Sequence, residues 1–221
     1  MDKDLNNCVV TKPWGYEYLA FRNNNLAIWF LRIKENQQTS MHCHPNKKTS
    51  LILLKGAAEI SFLFNKVLLK GFSRIMIWTG VFHSTKATSK GGITLLEVET
   101  PDDKDNLVRL NDSYGRQCEK YESSQHWKEK TGEELWIPSK KDTPVISHGY
   151  RFTVKELDES LIKKLKKKDI VVSLVGDCIM TKQNIPICKV GDLLTKATLQ
   201  KFSNANFVIQ SKTLVLHITK T

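Results

Sequence analysis

Three histidines of this chain stand at spacings that suit a shared metal site. His42 and His44 flank Cys43, and His83 follows the turn signal Thr79-Gly80 later in the chain. Successive side chains of a β-strand point to opposite faces, so His42 and His44 can share a face while Cys43 points away. Three neutral imidazoles favour a divalent transition metal (Zn, Ni, Fe or Mn) over calcium or magnesium, which prefer oxygen ligands. We therefore predict that the three histidines bind one such ion and that Cys43 does not.

The ligands of such a metal site must be held by regular secondary structure. The pattern of residues 26 to 99 predicts a series of short strands that could hold them. Apolar, β-branched segments are separated by turn signals such as Lys55-Gly56, with no long helical period between them. This pattern is typical of an antiparallel barrel or sandwich. Residues 101 to 148 are polar and contain three prolines, which indicates a long connection. The predicted strands are 26–33, 50–54, 57–64, 67–69, 75–78 and 93–98.

The C-terminal part of the chain repeats features of the N-terminal part at a constant offset of 120 residues. Turn glycines and strand ends recur in the same order without a gap, which indicates an internal duplication. The matched positions are Ile52 and Val172, Leu54 and Leu174, Gly56 and Gly176, Gly71 and Gly191, Phe82 and Phe202, and segments 95–98 and 215–218.

The second copy lacks the metal residues. At the same offset His83 falls on Ser203, and the histidine pair falls inside a helix predicted over 156–168. We therefore predict an all-β protein with few short helices, built as a duplicated antiparallel barrel or sandwich whose second copy is degenerate. The predicted domains are 1–116, which holds the metal site, a connecting segment over 117–150, and the degenerate unit over 151–221.

The composition and net charge limit the classes of molecule that we expect this protein to bind. A net charge of +11 favours an anionic small molecule. Nucleic acid is not expected, because the lysine run 163–168 has no aromatic platform or recognised motif beside it. Five cysteines without CxxC spacing fit a reducing cytoplasm. We expect no membrane partner, because no apolar run could span a bilayer and the polar N-terminus leads into no signal-peptide core.

The histidine pair, Gly56 and the segment Gly80-Val81-Phe82-His83 resemble the two motifs of the cupin superfamily. In that pattern a glutamate and a glycine follow HxH, and the last histidine ends a PxGxxH block. Here Trp78 replaces the proline, and Thr49 stands where the glutamate is expected. The resemblance implies a cupin β-barrel of the jelly-roll type, duplicated here as a bicupin, with three histidine ligands and no acidic one.

Both ends of the first predicted domain are similar to the cupin domain of type II mannose-6-phosphate isomerases. Lys12-Pro13-Trp14-Gly15 resembles the opening motif of that domain, and segments 105–109 and 112–116 resemble its ending. The arginine and glutamate that follow the histidine pair in that family are missing from Pro45-Asn46-Lys47-Lys48-Thr49. The resemblance implies an isomerase or epimerase of a sugar phosphate or nucleotide-linked sugar in polysaccharide precursor synthesis. It leaves mannose 6-phosphate itself open.

Sugar isomerisation needs a base that removes a proton beside a carbonyl, in addition to a metal ion. Glu97 and Glu99, at the end of the predicted strand 93–98, are the candidate catalytic residues. The candidate contacts for the anionic sugar substrate are Lys47, Lys48, Lys86 and Arg109.

Two other functions remain open. A cupin that binds a sugar or nucleotide sugar without turnover would account for the missing arginine and glutamate. A three-histidine iron dioxygenase would need no carboxylate ligand. Cupins are often homodimers, and either a partner subunit or the second barrel could cover the first one.

Overall fold

The computed structural model describes residues 5–118, 121–180, 185–203, 207–209 and 212–221. The chain divides into two compact units. The first unit comprises Met1–Arg22 and Ala27–Leu135, and the second comprises Asn23–Leu26 and Trp136–Thr221. The domain ranges drawn from the sequence stay a prediction.

The first unit is built from antiparallel strands and two short 3-10 helices, Leu5–Asn7 and Ser124–His126. Its strands are β1 Cys8–Lys12, β2 Gly15–Arg22, β3 Ala27–Ile33, β4 Met41–Cys43, β5 Lys48–Lys55, β6 Ala57–Phe62, β7 Lys66–Lys70, β8 Ser73–Ile77, β9 His83–Ala87, β10 Ile93–Thr100, β11 Val108–Asn111 and β12 Trp127–Glu129. They form one sheet of order β12-β1-β2-β3-β10-β5-β8 and another of order β11-β4-β9-β6-β7. From β4 to β10 the chain passes repeatedly between the sheets, as in a jelly roll.

On the face that points into the barrel, strand β10 has apolar side chains in its first half and buried acidic side chains in its second half. Ile93 and Leu95 belong to the hydrophobic core that both sheets share. Side chains two residues apart share a face, so Glu97 and Glu99 continue the inward face of the same strand. Both glutamates are buried and line a cavity. The apolar half of the strand therefore anchors the barrel, and its acidic half faces the site.

The second unit is also mostly antiparallel sheet. Its strands are β13 Val145–Ser147, β14 Tyr150–Glu156, β15 Ile170–Val175, β16 Cys178–Met180, β17 Ile185–Cys188, β18 Leu193–Leu194, β19 Phe207–Ile209 and β20 Leu214–Lys220. Its helices are α1 Glu159–Lys164 and α2 Lys196–Ser203. The sheets have the orders β13-β14-β20-β15-β18 and β17-β16-β19. No helix in the described ranges has the length and apolar character needed to span a bilayer.

The strand register supports the predicted duplication. Leu95 pairs with Leu53 in the first unit, and Val215 pairs with Ser173 in the second, at the offset of 120 residues on both strands. Both ladders are irregular just before this pair. The offset does not extend to β9, because the residue matched to its first residue, His83, is Ser203, which belongs to α2. The residues matched to Phe82 and His83 fall in α2, and their side chains lie outside the described residues.

The helix predicted over 156–168 is shorter than expected. It begins after Asp158, whose carboxylate accepts a hydrogen bond from the Leu161 N–H at 2.6 Å, as an N-cap does. It ends at Lys164, because the next residue, Leu165, has a ψ of 137°, which is incompatible with a further turn. Beyond it, the Asp169 carboxylate accepts from the Lys166 N–H at 2.9 Å. Local capping therefore overrides the longer amphipathic pattern.

Gly56, at the turn between β5 and β6, gives a testable stability prediction. Its φ is +92°, and an added Cβ would lie 2.5 Å from Ser89 Oγ and 2.7 Å from the Gly92 carbonyl oxygen. We expect Gly56→Ala to lower the free energy of unfolding by about 2 kcal/mol or more, through backbone strain plus the close contact. Urea denaturation measures the loss. Gly71→Ala is the control, since φ there is +58° with nothing within 4 Å. An equal loss in both variants would contradict a cost for the contact.

Candidate metal centre

The three predicted histidines converge at one end of the first barrel. His42 on β4 lies directly opposite His83, the first residue of β9, and His44 follows the end of β4. Ring centroids are 4.5 Å apart for His42 and His83, 5.0 Å for His42 and His44, and 5.7 Å for His44 and His83. One ligand nitrogen of each ring lies within 4.8 Å of the other two.

Backbone contacts leave the same nitrogen available on each ring. Each Nδ1 lies within hydrogen-bond distance of a backbone carbonyl, so the neutral ring donates there and keeps its lone pair on Nε2. In the described part of the chain, the Nε2 atoms of His44 and His83 are buried without a hydrogen-bond partner. Imidazoles oriented in this way are typical metal ligands, so the set fits a divalent ion. The carbonyl partners are Ser40 for His42 (2.8 Å), Asn106 for His44 (2.6 Å) and Val81 for His83 (2.9 Å).

Burial keeps the three rings neutral. It lowers the pKa of His44 to about 3, with the nearby Lys47 ammonium adding to the effect. It lowers the pKa of His83 to about 4. The pKa of His42 also falls well below its usual range, through burial and then through His83 and His44. Neutral imidazole is the form that binds a metal ion.

Both candidate catalytic glutamates lie next to the histidines. Carboxylate oxygens of Glu97 and Glu99 lie within 4.8 Å of each other and of the His44 ligand nitrogen. Burial, and then the neighbouring Glu99 carboxylate, raise the pKa of Glu97 to about 7. The pKa of Glu99 is lowered despite its burial, because the ammonium groups of Lys104 and Lys47 stabilise its charge. The two carboxyl groups are thus suited to different roles.

Two lysines hold Glu99. Lys47 Nζ donates to Glu99 Oε1 and to the Asp103 carbonyl oxygen, both at 2.9 Å. Lys104 Nζ lies 3.2 Å from the same Oε1 and 3.4 Å from Glu17 Oε1. Sequence reasoning missed Lys104, because its segment gives no signal of these partners.

The two motifs at the ends of the predicted first domain meet in a second ion-pair network. Glu122 accepts from Lys12 Nζ and, at 2.5 Å, from Arg116 Nη1. Glu17 lies 3.3 Å from Lys12 Nζ and accepts from the Tyr121 hydroxyl at 2.5 Å. The pKa of Glu17 falls to about 2, since Lys104 and Lys12 outweigh its burial. All five residues line the cavity. The motifs pointed to Lys12 and Arg116 by resemblance, but nothing in the sequence pointed to Glu122.

The structure separates the four predicted substrate contacts. Lys47 and Arg109 line the cavity, and Arg109 on β11 lies directly opposite His42. Lys48 and Lys86 are not among the lining residues. Lys48 Nζ is 5.9 Å from the centre of the exposed Trp78 ring, and Lys86 on β9 lies opposite Glu59. A role for any of the four in binding an anionic substrate stays a prediction.

Comparison with known proteins confirms the family resemblance. The profile of the family described as mannose-6-phosphate isomerase C-terminal matches residues 2–112. Xanthan biosynthesis protein XanB from Xanthomonas campestris pv. campestris (strain B100) is 27% identical over 109 residues, which cover 48% of this chain and 23% of XanB. The chain thus spans about a quarter of the length of the curated relatives it matches.

Two solved structures are similar to part of this chain at low sequence identity. KdgF from Halomonas sp. has 14% identity and a TM-score of 0.42, and the alignment covers 47% of this chain and 94% of that one. An RmlC-like cupin from Shewanella frigidimarina NCIMB 400 has 12% identity and a TM-score of 0.40, covering 48% and 91%.

Proposed function

We propose, for a chain that belongs to the mannose-6-phosphate isomerase C-terminal family, that its first unit is a metal-dependent isomerase or epimerase. The substrate would be a sugar phosphate or a nucleotide-linked sugar used in polysaccharide precursor synthesis. The name of the chain's relative XanB, a xanthan biosynthesis protein, supports this field. The observation that carries the proposal is a cavity in which three imidazoles converge, with the buried carboxyl groups of Glu97 and Glu99 beside one of them.

The three histidines would hold a divalent transition metal through their Nε2 atoms. When bound, the ion would stabilise negative charge that develops on the substrate oxygens as a proton leaves the adjacent carbon. Three imidazoles held by backbone carbonyls need little rearrangement to serve as ligands, because those hydrogen bonds already fix their tautomer and orientation.

Glu97 is the proposed base. Isomerisation and epimerisation both remove a proton beside a carbonyl and return one, so one carboxyl group can accept and then donate it. A group whose pKa lies near 7 is matched to that task. Glu99 is unsuited to it, because two lysines stabilise its ionised form.

The cationic lining would attract an anionic substrate. Arg109 and Lys47 lie on the histidine side of the site, and the net charge of +11 favours anions overall. Arg109 can contact two phosphate oxygens through its planar guanidinium group.

Metal binding is tested first with His83→Ala. We expect the affinity for Zn²⁺ to fall by more than about 100-fold, since even changes to groups behind the ligands cost 10–100-fold. Chelator-competition titration and elemental analysis of untagged protein measure the effect. His126→Ala is the control, because this side chain is exposed in the same unit. Equal metal content in both variants would contradict the site.

Turnover is tested on a panel of sugar phosphates and nucleotide sugars. Activity is expected to disappear on chelation, to return with added metal, and to be absent from His42→Ala. An activity that chelation and His42→Ala both leave intact would overturn the proposal.

A non-catalytic sugar-binding role is the second candidate, and the ion pairs of the cavity favour it. Lys12, Lys47, Lys104 and Arg116 are all engaged with carboxylates of the protein itself. These cations are therefore partly neutralised before a phosphate arrives. Tight binding of a panel member without turnover, in metal-replete protein, would support this candidate over the isomerase.

A further inference from the structure

The glutamate missing from the motif at Thr49 has a structural counterpart on the neighbouring strand. Thr49 on β5 and Glu99 on β10 are directly opposite each other in the antiparallel ladder. Such pairs share a face of the sheet, with their Cβ atoms about 4.5–5.5 Å apart. Both residues are buried, with exposed fractions of 1% and 2%. The Cβ atom of residue 99 therefore lies close to that of residue 49, and side chains with a carboxylate at either position would branch from neighbouring points.

The two carboxylate oxygens of Glu99 have different surroundings. Oε1 accepts from Lys47 at 2.9 Å and from Lys104 at 3.2 Å. In the described residues, Oε2 is buried and accepts no hydrogen bond. Thr49 Oγ1 and the Nε2 atoms of His44 and His83 are likewise buried without a hydrogen-bond partner. Buried polar atoms usually have partners, and His44, His83 and Glu99 line the same cavity, so their three unpartnered atoms point to a shared ligand.

Glu99 also lies on the histidine side of the cavity. One of its carboxylate oxygens is within 4.8 Å of a His44 ligand nitrogen, in a group that also holds Glu97, and His44 belongs to the separate three-histidine group as well. Binding to the same ion would therefore require the Glu99 side chain to move towards His42 and His83. We propose that Glu99 Oε2 is the fourth protein ligand of the ion that His42, His44 and His83 would hold. The acidic ligand of the motif has thus moved from β5 to β10, an inference that rests on the proposed metal site.

Lys47 and Lys104 act as positioning residues for this ligand. They donate to Oε1, so Oε2 is the oxygen that would be left for an ion. A set of three nitrogens and one oxygen also changes the metal preference, because carboxylate oxygen suits Mn²⁺ better than imidazole does. Lys47 lies in the segment that stands where the family motif has its arginine and glutamate, and it pairs with the Glu99 carboxylate.

The test compares Zn²⁺ affinities of matched glutamate variants. Glu99→Gln is expected to weaken Zn²⁺ binding by about 100-fold and to alter the visible spectrum of the Co²⁺-substituted protein. Glu59→Gln is the control, since that glutamate pairs with Lys66 at the surface of the same unit. The double variant Thr49→Glu with Glu99→Thr, which returns the carboxylate to β5, is expected to recover most of the affinity.

A measurement on native protein covers the case in which Glu99→Gln does not fold. Infrared difference spectra of Zn²⁺-loaded minus metal-free protein, carrying ¹³C-carboxyl glutamate, should show a shifted carboxylate stretch that persists in Glu97→Gln. If native protein binds no Zn²⁺, the proposed metal site fails, and this inference fails with it. If His83→Ala weakens Zn²⁺ binding, but neither Glu99→Gln nor the infrared spectrum responds, the metal site stands and the moved ligand is overturned.

Discussion

Glu97→Gln is expected to lower kcat by about 10²–10⁴-fold on whichever sugar the native protein turns over, the range typical of losing a general base. Glutamine has nearly the same shape as glutamate, but its amide cannot take up the substrate proton. Glu97 follows the buried Leu95 on the inward face of β10, so the replacement stays within the same packing. Metal content should not change, because the proposed ligands are His42, His44, His83 and Glu99.

The pH profile separates this role from a structural one. The base must be ionised, so kcat should rise with pH as Glu97 loses its proton, at or below pH 7, because a bound cation lowers the pKa of a neighbouring carboxyl group. That limb should be missing from the residual activity of Glu97→Gln. Glu59→Gln, on the opposite sheet, should keep both rate and profile. Full activity of Glu97→Gln would reject Glu97 as the base.

The sequence predicted the barrel well, because the barrel depends on local patterns. Apolar alternation and turn glycines placed strands at 26–33, 50–54 and 93–98, close to β3, β5 and β10. The two-residue period also put His42 and His44 on one side, and it allowed Glu97 or Glu99 to face inward. These inferences needed only the geometry of a single strand.

The charge network could not be predicted in the same way, because its partners are far apart in the chain. Lys12 meets Glu122, and Lys47 meets Glu99, only after the strands have paired. Alternation along β9 puts Lys86 on the opposite face from His83, and this follows only once β9 is known to begin at His83. The absent glutamate at Thr49 suggested a weakened site, whereas the neighbouring strand supplies a carboxylate at the same level of the barrel.

Lowering the pH from 7 to 5 is expected to destabilise the metal-free first unit by roughly 4 kcal/mol. The histidine pKa values fall from 6.5 to about 3 for His44 and about 4 for His83, and well below 6.5 for His42. The unfolded chain therefore binds more protons than the folded one below pH 6.5. Stability is lost as the pH falls, by roughly 2 kcal/mol per histidine at pH 5.

Glu97 opposes this trend. Its pKa is raised to about 7 in the folded state, so between pH 7 and 4.5 the folded chain binds the extra proton. It offsets roughly 2 kcal/mol of the loss expected from the three histidines. The carboxyl groups with lowered pKa values, Glu17 and Glu99, contribute below pH 4.5 and stay outside this window.

Urea unfolding in the presence of a chelator measures the effect at pH 7 and at pH 5. A Trp136→Phe background confines the fluorescence to the first unit, because the other four tryptophans, Trp14, Trp29, Trp78 and Trp127, all lie in it. His44→Gln should reduce the loss to roughly 2 kcal/mol, and Glu97→Gln should increase it to roughly 6 kcal/mol. These opposite shifts test the balance of charges around the site. A loss that both variants leave unchanged would show that other groups control the acid sensitivity of this barrel.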